Sequence, residues 1–426
     1  MQYLIVGAGP AGISAAETLR DIDPEAGIKV IGAEDAPPYS RMAIPYFLEG
    51  NIEESGTNLR ISPDHFSEKG IELLRNRKVV RVDTSGHCVE LDDGSTEIYD
   101  RLLLATGSRP LPPPIEGLDL PGVHPCWTLE DARQIKALLT EGAHVVLIGA
   151  GFIGTIILDA LGSQNLSLTV VEADTHMTPR MMDRTGGDMM KAWCESKGVT
   201  LFMETMVNRI SAGGERALSL ELSNGQTLPA DLVVTATGVT PIIEYLDGSG
   251  IETDEGILVD NHLRTNVPEV YVAGDVAQGK DFSTGGQSVH AIQPTATEHG
   301  QVAARNMAGE DAAYQGSLIM NVVATLGLTT YSFGSWMGVE GGEHAESINA
   351  VEHQYVRLEF LDDVLVGAIN IGPFEHVGIL RGMIQSRIPL GDWKAKLMED
   401  PRRIMEAYLG LTEFGKNIPI MTPTVQ

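Results

Sequence analysis

The sequence is poor in sulfur chemistry. Its three cysteines, Cys88, Cys126 and Cys194, stand far apart, with no C-x-x-C or C-x-x-x-x-C pair. That spacing excludes a four-cysteine iron–sulfur site or an adjacent redox disulfide carried by this chain. The thiols read as packing groups, and no metal site is assigned. Basic charge is also scarce: 30 Lys and Arg face 58 Asp and Glu, a net charge of −28. Such a surface repels nucleic acid and anionic membranes, and favours a basic docking face on any protein partner. No apolar run reaches the length of a membrane span, so no membrane insertion is expected. Met1 leads directly into the first apolar segment without a signal sequence, and a cytoplasmic location is expected. At 426 residues the chain exceeds one ordinary core, and two or three domains are expected.

What the sequence has is glycine in the right places. Tyr3 to Val6 reads as a buried parallel strand running into Gly7-x-Gly9-x-x-Gly12 and a helix-like segment from Ile13 to Leu19. Gly7 makes the tight turn, Gly9 lets the backbone approach a pyrophosphate, and Gly12 lets the helix pack on the strand. The helix N-terminus offers N–H groups to phosphate oxygens. The next strand, Ile28 to Ala33, ends in Glu34, about 20 residues past the last glycine, where a carboxylate accepts from ribose hydroxyls.

The segment 35–48 holds three prolines and two tyrosines and reads as an irregular loop; 51–76 reads as helical and amphipathic. Val79 to Val82, Cys88 to Leu91 and Glu97 to Tyr99 alternate like short antiparallel strands turning at Asp92-Asp93-Gly94. A further strand runs from Arg101 into Ala105-Thr106-Gly107. The pattern then repeats: Val145 to Ile148, Gly149-Ala-Gly151-Phe-Ile-Gly154, a strand Ser167 to Val171 closed by Glu172, antiparallel segments, and Ala236-Thr237-Gly238. Two copies of one half-domain point to two dinucleotides on one chain.

From Thr240 the chain is expected to return to the first domain, with strands near Gly256 to Asp260 and Glu269 to Asp275 and a helix over Ala291 to Met307. The tail carries a hairpin, Tyr355 to Phe360 and Val364 to Ile371, then helices near Glu375 to Ser386 and Asp392 to Leu409. The fold class is α/β: two three-layer Rossmann-like dinucleotide-binding domains plus a C-terminal mixed α/β domain. The bounds are 1–111 with 242–316, then 112–241, then 317–426.

Gly7 to Gly12, Ala105 to Gly107, Gly149 to Gly154, Ala236 to Gly238 and Val272-Ala-Gly-Asp275, in this order, resemble the pyridine-nucleotide–disulfide oxidoreductase class. Asn261 to Pro268 and Pro294-Thr-Ala-Thr-Glu298 resemble its rubredoxin/ferredoxin-reductase and nitrite-reductase-large-subunit branch. The resemblance implies FAD on the first turn and a nicotinamide nucleotide on the second. It assigns Gly7, Gly9, Pro10, Ala11, Gly12, Glu34, Arg41, Ala105, Thr106, Gly107, Gly274, Asp275 and Thr295 to FAD, with Asp275 on the ribityl chain and Thr295 at the pyrimidine end. It assigns Gly149, Gly151, Phe152, Ile153, Gly154, Glu172 and Gly238 to NAD(H). Glu172 favours NAD(H) over NADP(H), since a carboxylate repels a 2′-phosphate.

Three departures follow from the same comparison. Where disulfide-reducing members carry a thiol, this chain reads Met42-Ala-Ile-Pro-Tyr46, so no cysteine relays electrons. Ferredoxin-reductase-like members place a lysine where Tyr46 stands and its glutamate partner where Ile156 stands. Both halves of the ion pair are absent together, as expected when one buried charge alone costs several kcal/mol. Tyr46, Phe152 and Ile156 are therefore the residues expected near nicotinamide and flavin, and flavin N5 carries the chemistry.

The implied function is movement of electrons between NAD(H) and an iron–sulfur or ferredoxin-like protein or subunit through FAD. Pro38 to Tyr46 is also similar to FAD subunits of multi-component oxidoreductases of the tungsten aldehyde oxidoreductase or phenylglyoxylate dehydrogenase type, which admits a hetero-oligomer. The alternatives are a self-contained NADH oxidase or disulfide reductase, and a flavin-bearing structural subunit with a decayed NAD site. Elsewhere the plain readings are packing: His290 and His299 as satisfied polar groups, Met177, Met181, Met182, Met189 and Met190 as adaptable core. Glu340, Glu343 and Glu346 read as a solvated loop, and Tyr331 to Trp336 as an aromatic loop.

Overall fold

Five parallel strands order the first unit of the computed structural model, which describes residues 1–373 and 377–414. Their sequence across the sheet is Val270–Val272, Arg101–Leu104, Gln2–Val6, Gly27–Ile31 and Ile71–Leu74. The central strand is buried on both faces, as its unbroken apolar run requires. Helix Pro10–Ile22 packs against helix Gln293–Met307. Glycine permits the approach, since a Cβ on Gly300 would stand 2.2 Å from the Ala11 carbonyl oxygen. This unit comprises Met1–Leu111, Trp127–Arg133 and Val239–Ser317.

The second unit comprises Pro112–Cys126, Gln134–Gly238 and the chain from Leu318. It repeats the parallel plan in the order Thr200–Phe202, Ser167–Val171, His144–Ile148, Leu232–Thr235 and Val123–Pro125. The tail adds an antiparallel sheet ordered Met320–Thr325, Leu328–Gly334, Val364–Ile371, Gln354–Leu361 and Glu343–Asn349. Its first turn docks in the same unit: Asp159 accepts the Leu326 N–H at 2.5 Å, and the Trp193 indole donates to the Thr325 and Leu326 carbonyls at 3.1 Å.

The structure departs from the sequence reading at four segments and at His299. Residues 51–76 form no amphipathic helix but a 3-10 turn Glu54–Thr57, a single helical turn His65–Glu68 and the strand Ile71–Leu74. Gly56, Pro63 and Gly70 interrupt any longer helix, and Gly70 sits at φ +62. The tail helix expected over Asp392 to Leu409 breaks at Pro401, which cannot donate to the helical ladder. Asp400 instead caps a short turn by accepting the Arg402 N–H at 3.1 Å, and helix Ile404–Phe414 begins afresh. Glu343 and Glu346 lie in strand Glu343–Asn349, and only Glu340 stays in a loop. Tyr331 and Phe333 lie in the strand Leu328–Gly334, where Phe333 is buried, as is Trp336 beyond it. The start proposed at Glu375 lies outside the described residues, and the helix is described from Val377 to Ser386. The five methionines of the 177–190 cluster are buried.

His290 is satisfied by Ser288 Oγ at 2.8 Å and by Asp281 at 3.4 Å, but His299 is not satisfied. It is 2% exposed, edge-on to Tyr314 at 4.7 Å, and neither ring nitrogen has a hydrogen-bond partner. Burial, with His290 nearby, holds its pKa down to about 3. The unfolded chain therefore binds a proton that the native state refuses. Stability is whole above the ordinary histidine value and falls as pH drops toward about 3. His299→Phe keeps a ring against Tyr314 without the titration. It should be more stable than wild type at pH 5 by about 2 kcal/mol relative to their difference at pH 8, measured by urea unfolding at both pH values.

Candidate dinucleotide sites

The first glycine turn is a set of backbone contacts. Gly7 leaves the strand at φ +121, and a Cβ there would lie 2.0 Å from the Ala105 carbonyl oxygen. A Cβ on Gly12 would lie 1.9 Å from the Gly7 carbonyl oxygen. Gly9 differs: a Cβ on it would meet nothing within 4 Å. It is the N-cap of helix Pro10–Ile22, with no side-chain cap and no acid in the first turn. The N-terminal end of the helix macrodipole is thus left without a competing carboxylate, and the backbone at Gly9 is open to approach. Such an open helix start can receive an anionic group.

Two distant segments converge on the same place. Gly274, at φ +79, is packed so that a Cβ would stand 3.1 Å from Ala11 Cβ and 3.6 Å from Ala296 Cβ. This brings Asp275 and the start of helix Gln293–Met307, with buried Thr295, to the first turn. Burial raises the Asp275 carboxyl above its usual range, opposed by Arg41 and by Ser108 Oγ, which donates at 3.2 Å. Glu34 faces outward. It accepts from the Tyr39 hydroxyl at 2.7 Å and from Arg41 at 3.1 Å. Burial, with Glu34 alongside, pushes the Tyr39 phenol up to about 12 against the opposing charge of Arg41. The Thr106 hydroxyl turns to the Ile242 carbonyl and Tyr245, both at 3.2 Å, while Gly107 next to it takes φ +71 in open space. Tyr46 is exposed on helix Ile44–Glu49.

The second turn repeats the construction. A Cβ on Gly149 would lie 2.5 Å from the Ala236 carbonyl oxygen, and one on Gly154 would lie 2.2 Å from the Gly149 carbonyl oxygen. Gly151 is open and is the N-cap of helix Phe152–Gly162, again without an acid in its first turn. Gly238 is also open, at φ +115. Phe152, Ile153 and Ile156 are half-buried on that helix. Glu172 turns inward: its carboxylate accepts from Ala150 N–H at 2.5 Å and from Asp174 N–H at 2.8 Å. Each oxygen retains lone-pair capacity for a ribose hydroxyl.

Sequence reasoning missed Tyr39, Ser108 and Trp127. The last packs its ring 4.9 Å beneath the Arg41 guanidinium and donates from Nε1 to the Ser108 carbonyl at 2.9 Å. Its one signal was Thr128-Leu-Glu-Asp131, a capping box that begins a helix beside it. Among the described residues no three His, Cys, Asp or Glu side chains group to hold a metal ion. Cys126 and Cys194 are buried, and burial pushes the Cys194 thiol up to about 12.

The two glycine classes separate by experiment. Gly12→Ala places a methyl on a carbonyl and should cost about 3 kcal/mol in the unfolding of the first unit. Gly9→Ala should cost about 1 kcal/mol or less, yet weaken adenine dinucleotide binding about tenfold or more. Urea unfolding of apoprotein and titration with FAD read both.

Residues 1–301 match the family model described as pyridine nucleotide-disulphide oxidoreductase. The chain is 32% identical over 403 residues to the NADH-dependent phenylglyoxylate dehydrogenase subunit epsilon of Aromatoleum evansii, covering 94% of this chain and 95% of that one. It is 30% identical over 287 residues to a rubredoxin-NAD(+) reductase of Pseudomonas putida, covering 67% and 74% of the two chains. A chain in the crystal structure of the covalent putidaredoxin reductase–putidaredoxin complex shares the fold at TM-score 0.89 and 22% identity, over 96% of this chain and 99% of that one. The chain belongs to the pyridine nucleotide-disulphide oxidoreductase family and is an FAD- and NAD(H)-dependent oxidoreductase.

Proposed function

We propose that the protein moves electrons between NAD(H) and an iron–sulfur protein or subunit, with FAD on the first glycine turn and the nicotinamide nucleotide on the second. The observation that carries this reading is the pair of equivalent open turns at Gly9 and Gly151 in a chain without a thiol at Met42. FAD held there would supply the exchange between two-electron hydride transfer and one-electron transfer that links a nicotinamide to one-electron centres. The chain's own part is to bind and orient. The turn from Gly7 to Gly12 with Pro10 and Ala11 receives the pyrophosphate, Glu34 the ribose, Asp275 the ribityl hydroxyls and Thr295 the pyrimidine edge. Arg41 and the Ala105 to Gly107 turn border them. Gly149 to Gly154 receives the second pyrophosphate, and Glu172 the adenosine ribose; Gly238 leaves space beside them.

Support for an external iron–sulfur partner comes from the relatives. One is named as an NADH-dependent phenylglyoxylate dehydrogenase subunit, another as a rubredoxin-NAD(+) reductase. The same reading admits a hetero-oligomer in which this chain is one subunit, and the net charge of −28 favours a basic docking face on the partner. The self-contained oxidase or disulfide reductase is disfavoured by Met42 and by the burial of Cys126 and Cys194. Among the described residues no helix is long and apolar enough to cross a membrane.

Anaerobic mixing with NADH should bleach the flavin, and turnover should proceed with viologen or ferrocenium dyes and yield little peroxide in air. Rapid NADH consumption by oxygen alone would reverse the reading. Glu172→Gln removes the charge that opposes a 2′-phosphate. It should narrow the preference for NADH over NADPH about tenfold, read as the ratio of flavin bleaching rates.

A further inference from the structure

We propose that Trp127 is the positioning residue of the FAD site, holding Arg41 and the Ser108–Asp275 pair in one frame; this rests on the FAD reading of the first unit. Trp127 begins a seven-residue segment, Trp127–Arg133, that packs into the first unit, while the chain on both sides of it belongs to the second. The segment is held at several points. Asp131 accepts the Trp127 and Thr128 N–H groups at 3.1 and 2.7 Å, and the Thr128 hydroxyl accepts the Asp131 N–H at 3.1 Å. Leu129 N–H donates to the Tyr39 hydroxyl at 3.0 Å, and Arg133 grips both oxygens of Glu54 at 2.8 and 2.7 Å.

From this fixed base the indole reaches in two directions. Its face carries the Arg41 guanidinium at 4.9 Å, and Arg41 in turn meets Glu34. Its edge donates to the Ser108 carbonyl at 2.9 Å, and the Ser108 hydroxyl donates to Asp275 at 3.2 Å. One half-buried ring thus fixes both the residues assigned to the ribose side and the one assigned to the ribityl chain. Without the ring, Arg41 keeps Glu34, Tyr39 and the charge of Asp275 as companions but loses the surface that it lies on, and the Ser108 carbonyl loses its indole donor. An ordered set of binding groups loses less freedom when a ligand arrives, so the frame acts on affinity and not on the stability of the apoprotein.

The chain supplies its own reporter. Of its four tryptophans, Trp193, Trp336 and Trp393 belong to the second unit and Trp127 alone to the first. Apoprotein is titrated with FAD while tryptophan emission and unfolding temperature are recorded for wild type, Trp127→Phe and Trp127→Leu. Expected are saturable quenching of emission in wild type that is largely lost in Trp127→Phe, FAD binding weakened about tenfold in Trp127→Leu but only about threefold in Trp127→Phe, and nearly equal unfolding temperatures of the three apoproteins. The phenylalanine keeps the face for Arg41 and gives up the N–H. A leucine variant that binds FAD as wild type does overturns the assignment, as does a phenylalanine variant no better than leucine. An unfolded leucine apoprotein also overturns it, by assigning Trp127 to the fold. Failure of wild-type apoprotein to take up FAD at all defeats the site reading itself, a different result from any of these.

Discussion

The first unit depends on one contact that only glycine permits. The strand Gln2–Val6 is held in register between its two neighbours up to Val6. The chain must then turn within a single residue, against the carbonyl of Ala105. Gly7 does so at φ +121. The direction of helix Pro10–Ile22 follows from that turn, and Gly12 closes the helix back onto the Gly7 carbonyl. Gly300 and Gly274 extend the same logic outward, since each brings a distant segment to within a methyl's width of Ala11. Asp275 and Thr295 therefore reach the turn through backbone packing, not through recognition among their own side chains.

The second unit obeys the same constraint with a different outcome at the neighbouring carboxylate. Glu34 is engaged by the side chains of Tyr39 and Arg41, both of which rotate. Glu172 is engaged by the main chain of the turn itself, at Ala150, and of Asp174. Side-chain donors can swing aside for a ligand, while main-chain donors hold an acceptor in place. Two carboxylates at equivalent places in the repeat thus differ in rigidity, although in sequence both are only an acid after a strand.

This contrast marks how far the sequence could be read. The parallel strands and both glycine turns were legible because each combines a buried apolar run with a residue whose absence of Cβ has a geometric use. The tail hairpin was legible for the same reason: Val364 to Ile371 appears with the bounds that periodicity gave it. Residues 51–76 were misread because helical periodicity was counted across Gly56, Pro63 and Gly70, and a pattern is worth little across residues that break the backbone it assumes. Glu343 and Glu346 were misread because an edge strand with one solvated face tolerates acids as readily as a loop does. The role of Trp127 was hidden for another reason, since the capping box beside it marks a helix start and nothing more. Its meaning lies in Arg41 and Ser108, each remote in sequence, and no local pattern announces a cation lying on a ring. His299 looked like an ordinary polar residue, and its buried ring nitrogens without a hydrogen-bond partner set it apart.

The chain's poverty in charge along helix Phe152–Gly162 bears on how it would hold a nicotinamide. That helix carries a single ionisable residue, Asp159, whose carboxylate is engaged by the Leu326 N–H of the tail. Burial pushes Asp159 above the usual carboxylate range, partly offset by backbone N–H groups of Leu326 and Gly327. It is committed to structure and supplies no charge toward the open end at Gly151. By the family resemblance Ile156 sits where a glutamate is expected and Tyr46 where a lysine is expected, and Tyr46 is exposed. With both members of that pair absent, no isolated charge is left to be desolvated, a situation that would otherwise cost several kcal/mol. On the proposed reading, a nucleotide at the second turn would meet backbone N–H groups, the carboxylate of Glu172 and the apolar side chains of Phe152 and Ile156. Of these, Phe152 and Ile156 carry no charge to answer that of the nicotinamide ring, which changes between the oxidised and reduced nucleotide.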